Sequence, residues 1–118
     1  MISIRGAIVV DDNTKEKIVN SSKALLEKMI KENDIKTEEI VSILFTATKD
    51  LTAAYPAVAA RELGINAAGL FCMQEMFVEN SLSRCVRTLM YVNNDDCQTD
   101  VKHIYLNGAE VLRPDLLS

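Results

Sequence analysis

Glu75 lies in the stretch Leu70-Phe71-Cys72-Met73-Gln74-Glu75-Met76, with a methionine on either side of it. Twelve residues on, Arg87 interrupts a second apolar run, Arg84-Cys85-Val86-Arg87-Thr88-Leu89-Met90-Tyr91-Val92. A charge among large apolar groups costs free energy unless a partner offsets it. A carboxylate and a guanidinium in such settings point to one pocket that both face, built to hold an anionic small molecule.

Other reactive side chains are sparse. His103 is the sole histidine, and the three cysteines, Cys72, Cys85 and Cys97, have no CxxC spacing. This argues against a zinc site of the usual Cys/His kinds and against a Ser-His or Cys-His nucleophile. An odd cysteine count leaves no complete intrachain disulfide framework. Each cysteine reads first as a small buried hydrophobe.

The net charge is −4 and the basic residues are not clustered, which argues against nucleic acid as a partner. Seven of the eight lysines lie between Lys15 and Lys49, whereas every arginine but Arg5 lies from Arg61 onward. Lysine is the hydrated surface cation; arginine's planar fork pairs bidentately with carboxylates. The arginines therefore read either as a local anion site or as ordinary partners of the 17 acids. No apolar run approaches the roughly 20 residues that span a bilayer, and the N-terminal residues lack signal-peptide features. No membrane partner and a cytoplasmic location are expected. A chain of 118 residues is expected to form a single domain, residues 1–118, with a real core.

The elements that must position these side chains follow from periodicity. Residues 2–10 read as a strand broken by Asp11-Asp12-Asn13. Asn13 is expected to cap a helix, with Glu16 at the reciprocal capping-box position. From there Ile18, Val19, Ser22, Leu25, Leu26, Met29 and Ile30 form one apolar stripe. Glu27 and Lys31 pair on its outer face, and Asn33 stops it. Thr37-Glu38-Glu39 suggests a single helical turn. Residues 40–47 read as a strand buried on both faces. Pro56 opens a short helix over residues 57–63, closed by Gly64. Residues 67–72 form a strand, and residues 77–82 show no pattern. In the run from Arg84 to Val92, Cys85, Arg87, Leu89 and Tyr91 share one face, and the apolar surroundings predict that Arg87 is not freely solvated. Asn107-Gly108 fits a type I′ hairpin between residues 104–106 and 109–112, with Pro114 ending the pairing. The order predicts an α+β fold, a mixed β-sheet packed by one long and one short helix. Two helices are too few to cover such apolar strands, so part of the sheet is expected to be covered by another copy of the chain.

Several strings together resemble one family. They are Ile4-Arg5-Gly6-Ala7, Thr46-Ala47-Thr48, Asp50-Leu51, Pro56-Ala57, Arg61-Glu62-Leu63, Cys72-Met73-Gln74-Glu75-Met76, Cys85 with Arg87, Tyr105-Leu106, and Leu112-Arg113-Pro114-Asp115-Leu116. In this order and spacing they resemble the AroH class of chorismate mutase, the trimeric α/β type. The resemblance implies a homotrimer forming a pseudo-barrel, with a site at each subunit interface. It implies conversion of chorismate to prephenate by an intramolecular Claisen rearrangement, in phenylalanine and tyrosine biosynthesis. By position, it makes Arg87, Glu75 and Arg5 the catalytic residues. Arg5 and Arg87 would meet the dicarboxylate substrate, Arg87 also the ether oxygen. Glu75 and Cys72 would contact the ring-hydroxyl side, and Tyr105 a carboxylate. Tyr55, Ala57, Leu70, Phe71, Met73, Gln74 and Leu112 would line the pocket, with Arg61 and Arg113 at its edge. The chain departs from the family pattern with Tyr55 for phenylalanine, Val58 for a common lysine, and Phe71 for a smaller polar residue.

A Claisen rearrangement is pericyclic and needs no proton, nucleophile, metal or cofactor, so none is expected. The catalyst must hold a flexible diacid in its compact shape and stabilise negative charge growing on the ether oxygen. The competing readings are a non-catalytic trimeric binder of an anionic metabolite, for which Val58 and Phe71 would be the warrant, and a hydrolytic enzyme on a similar trimer, such as an imine deaminase. The Cys-Met-Gln-Glu-Met and tail strings disfavour the latter.

Overall fold

The computed structural model describes residues 1–113, and these form five strands and two α-helices. The strands are β1 (Ile2–Val9), β2 (Ile40–Ala47), β3 (Gly69–Gln74), β4 (Cys85–Val92) and β5 (Ile104–Leu106); the helices are α1 (Lys15–Glu32) and α2 (Ala57–Glu62). The sheet order is β3-β2-β4-β1-β5. β4 pairs antiparallel with both β1 and β2, while β3 and β5 add in parallel at the two edges. The sheet is therefore mixed, as the sequence predicts.

Both helices pack on one face. Ile18, Val19, Leu25, Leu26 and Met29 of α1 meet Ile2, Ile4, Ile8, Ile43, Phe45, Val86, Met90 and Val92 in a single core. Contact is closest at Gly6, where a Cβ would lie 2.5 Å from Met29 Sδ and 2.9 Å from Thr88 Oγ1. A side chain at position 6 would make the Met29, Thr88 and Leu25 side chains shift. α2 ends in a Schellman motif, with Gly64 in the left-handed region at φ 81° and Ile65 N–H donating to Ala60 O at 3.0 Å. The 3-10 turn at Thr37–Glu39 and the stop at Asn33 stand as expected.

Several expectations are corrected. Thr14, not Asn13, caps α1, accepting from Lys17 N–H at 3.1 Å. Asn13 Oδ1 is instead occupied by the N–H groups of Thr52 and Ala53. With the cap one residue later, Glu16 no longer falls at the capping-box position. The i,i+4 ion pair on α1 is Lys28–Glu32, at 3.8 Å. Pro56 is the residue before α2 rather than its first, and α2 ends at Glu62. β3 begins at Gly69 and runs to Gln74, because its register with Ser42–Ala47 of β2 keeps it paired to the end of that strand.

There is no hairpin at Asn107-Gly108. Both residues have the positive φ that a type I′ turn needs, 53° and 95°. β5, however, pairs with β1, and the chain continues into a 3-10 turn, Ala109–Leu112. Side chains satisfy this corner: Asn107 Nδ2 donates to Val9 O at 2.6 Å and Gly108 N–H to Glu110 Oε2 at 2.9 Å. Ala109 is then buried against Ala7, Cys85 and Tyr105 in a second small core on the face opposite the helices. Pro114 and residues 114–116 of the tail string lie outside the described residues.

Candidate active site

Sheet register decides which side chains can meet. Thr46 lies opposite both Met73 and Arg87, and Arg87 lies opposite Ala7, which in turn pairs with Tyr105. Arg5 lies opposite Leu89, and Leu89 opposite Leu44. These residues occupy the helix-free face. Phe45, Cys72 and Thr88 are likewise in register and occupy the helix-covered face.

At the centre of the helix-free face, Arg87 Nη1 lies 3.7 Å from Glu75 Oε2. Glu75 is held from two sides. Its N–H donates to Ala47 O at 2.9 Å, and its Oε1 accepts from Thr46 Oγ1 at 2.5 Å. Residues 75 and 87 are thus neighbours on this face. The expected shielding of Arg87 is not found within one chain. Its side chain is 45% exposed, against 22% for Glu75. The helices cover only the other face.

The start of β4 is clamped. Asp50 accepts from Arg84 N–H through both carboxylate oxygens, at 3.1 and 3.0 Å. Thr48 Oγ1 donates to Asp50 at 2.5 Å and accepts from Cys85 N–H at 3.0 Å, and Arg84 Nε donates to Val10 O at 3.0 Å. Burial alone would raise the Asp50 carboxyl's pKa. The Thr48 hydroxyl, the Arg84 N–H and the Arg84 charge together outweigh it and hold the carboxyl below its ordinary value. This clasp fixes the backbone two residues before Arg87.

Beside Arg87 sits the second core. Tyr105 is buried there with Cys85, and Leu112 packs against its edge. Burial pushes the Cys85 thiol up to about 11, with the Arg87 charge opposing, so Cys85 serves as packing and not as a nucleophile. Further along the face, Arg5 is half-buried, with its Nε buried and without a hydrogen-bond partner among the described residues. Arg113 is half-buried too, and its charge acts with that of Arg5 on His103.

The remaining expected site residues lie elsewhere. A cleft of about 560 Å³ is lined by residues that include Thr48, Leu51, Tyr55, Cys72, Met73 and Gln74. Ala57 is buried in the main core, Leu70 packs against that core, and Arg61 is exposed on α2. Phe71 projects from the helix-free face, 61% exposed. Strand register therefore places Arg5, Phe71, Met73, Arg87 and Tyr105 on one face, with Glu75 beside Arg87 and Leu112 packed near Tyr105. Tyr55, Cys72, Met73 and Gln74 line a cleft that includes neither Glu75 nor Arg87. Two contributors carried no role in the sequence reading. Thr46 was legible only through strand register, and His103 through nothing local.

The family model for chorismate mutase type I matches residues 1–116. The chain belongs to the type I chorismate mutases. It is 47% identical over 114 residues to chorismate mutase AroH of Bacillus subtilis (strain 168), covering 96% of this chain and 90% of that protein. It is 45% identical over 116 residues to chorismate mutase AroH of Thermus thermophilus, covering 98% and 95%. A solved chorismate mutase from Clostridium thermocellum superposes with a TM-score of 0.92 at 48% identity, covering 94% of this chain and 99% of the other. The mixed sheet with one long and one short helix is thus a chorismate mutase fold. Among the described residues no helix is long and apolar enough to cross a membrane.

Proposed function

We propose that the chain is an isomerase that converts chorismate to prephenate, the step that commits chorismate to phenylalanine and tyrosine. The observation that carries this, beside the family match, is the Arg87 guanidinium fixed next to the Glu75 carboxylate on an open sheet face. Chorismate carries two carboxylates, and its rearrangement breaks a C–O bond while electron density builds on the ether oxygen. Arg87 donates to that oxygen. Its charge is permanent, and the clasp and strand pairing position it before the reaction begins, which is the condition for electrostatic catalysis. Arg5, Arg113 and Tyr105 hold the carboxylates and keep the diacid folded. Glu75, itself anchored by Thr46, orients the ring hydroxyl and offsets positive charge on the ring fragment.

The working unit is a homotrimer with sites between copies. The cleft beside Tyr55, Cys72 and Gln74, whose lining includes neither Glu75 nor Arg87, supports this. A second copy seated on the arginine face supplies the wall that one chain lacks. Phe71 and Met73, 61% and 40% exposed on that face, support the same reading. The enzyme acts in the cytoplasm. The reading as a non-catalytic binder of an anionic metabolite has no observation in its favour: Val58 packs against the core, and Phe71 keeps its backbone paired with Leu44.

The test is to mix purified protein with chorismate and follow its ultraviolet absorbance. Rapid loss with appearance of prephenate is expected; binding without loss would overturn the assignment. Sedimentation of the same preparation checks assembly, and a fully active monomer would remove the trimer.

A further inference from the structure

The outer edge of β1 is only partly covered by a strand. β5 pairs with Gly6, Ala7 and Ile8 and no further. Backbone groups upstream would be left unpaired, a costly arrangement in a half-buried strand. Two side chains take the place of a strand. Gln98 accepts from Ser3 N–H and donates to Ser3 O, both at 2.8 Å. His103 Nδ1 accepts from Arg5 N–H at 2.9 Å, a bond across 98 residues of sequence. To accept there, Nδ1 must carry a lone pair, so the ring is neutral with its proton on Nε2.

We propose that His103 is a positioning residue: its neutral ring anchors the backbone of Arg5, and its protonation releases that anchor and weakens the grip on the substrate carboxylate. The proposal rests on the reading of Arg5 as a substrate-binding residue. Otherwise the Arg5 backbone is held by the pairing of β1 with β4, opposite Leu89, and among the described residues its Nε is buried without a hydrogen-bond partner, so the ring holds the outer side of this residue. A protonated ring could no longer accept from Arg5 N–H and would add a cation within the field of the Arg5 and Arg113 charges. The charges bearing on the ring are Arg5 from β1 and Arg113 from beyond the last 3-10 turn. Asp100 and Lys102 neighbour it on its own segment, and the end of α1, with Glu32 and, just past the helix, Asp34, is tied to Lys102 by Asn33. Burial first, then the Arg5 and Arg113 charges, lower the imidazole pKa, so the ring is neutral at neutral pH and the anchor fails on the acid side.

The rearrangement itself moves no proton, so an acid-side fall in activity has no source in the bond-making step. Because His103 is the chain's sole histidine, the fall can be assigned by one substitution. In His103→Asn the amide oxygen can replace Nδ1 as acceptor, and it does not titrate. Initial rates of chorismate loss are measured from about pH 5 to about pH 8 for both proteins. For the unmodified protein, kcat/KM is expected to fall roughly five-fold or more toward acid, the scale of a lost anchoring hydrogen bond. The fall lies chiefly in KM, since the carboxylate is gripped before and during the reaction. His103→Asn is expected to keep most of its neutral-pH activity and to lose the acid-side fall. In parallel, NMR of the unmodified protein is expected to show the Arg5 amide moving with the same midpoint as the His103 ring. An unchanged acid limb in His103→Asn, or an Arg5 amide indifferent to the ring's titration, would overturn the proposal. A protein with no turnover of chorismate at any pH would instead sink the functional reading, and the amide titration would still test the anchor on its own.

Discussion

Replacing Arg87 by glutamine separates what the residue does for the fold from what it does for the reaction. The structure fixes the first. Arg87 and Glu75 approach to 3.7 Å, longer than a hydrogen bond, with the arginine 45% exposed. A pair of this kind contributes about 0.2–1 kcal/mol. Glu75 does not depend on it for placement, because Thr46 Oγ1 and Ala47 O still hold it. Arg87→Gln should therefore cost less than about 1 kcal/mol of stability, a few degrees in Tm. The effect on the barrier is of another size. Losing a preorganised donor to a developing oxyanion costs roughly 3–4 kcal/mol, about 10²–10³ in kcat. KM should rise much less, because in the proposed site Arg5, Arg113 and Tyr105 would still engage the carboxylates. The assay is initial rates across chorismate concentrations, paired with a urea melt of the same preparation. If kcat stayed within a few-fold, or stability fell as far as the barrier rose, the charge argument would be wrong.

Three further outcomes follow from the surrounding structure. Gly6→Ala should destabilise the protein by about 1–3 kcal/mol in a urea melt, because the new methyl meets Met29 Sδ at 2.5 Å and Thr88 Oγ1 at 2.9 Å. A thiol reagent at about pH 8 should label exposed Cys97 first and reach Cys85 only on unfolding, since burial raises the Cys85 thiol to about 11. Asp50 is held below its ordinary carboxyl value, so its contribution to stability is full above the unfolded value of 3.8 and is lost as pH falls through the folded one. Asp50→Asn should lower Tm at neutral pH and flatten the acid-side decline in a pH series of melts.

Elements fixed by local periodicity were legible in the sequence. The stripe from Ile18 to Met29 gives α1, the run Ile40–Ala47 gives β2 with its bounds, and Gly64 marks the end of α2. What was not legible depended on distant partners. Asn13 has a capping residue's chemistry, but Thr52 and Ala53 compete for its carbonyl and win. Asn107-Gly108 has the backbone of a hairpin turn, but the edge of β1 takes β5 as a parallel partner. The site divides in the same way. Glu75 and Arg87 stood out because each is a charge in an apolar run, and they do meet. Thr46 and His103 did not, because a threonine in a strand and a histidine before one are ordinary until register shows what they face.

The uneven distribution of polar contacts across this face has a chemical rationale. A reaction without proton transfer gives its catalyst no need for a tuned acid or base, and the burden shifts to placing fixed charge. Backbone geometry does that placing here. Asp50 and Thr48 pin the start of β4 two residues ahead of Arg87, and Ala47 and Thr46 pin Glu75 at the exit of β3. Among the described residues the guanidinium itself makes only the long contact to Glu75, and Arg5 Nε makes no hydrogen bond. In the proposed site, saturating either cation with protein partners would make its position firmer but would spend donors meant for the substrate. Firm backbone beneath lightly engaged side chains leaves those donors available without letting the strands that carry them move.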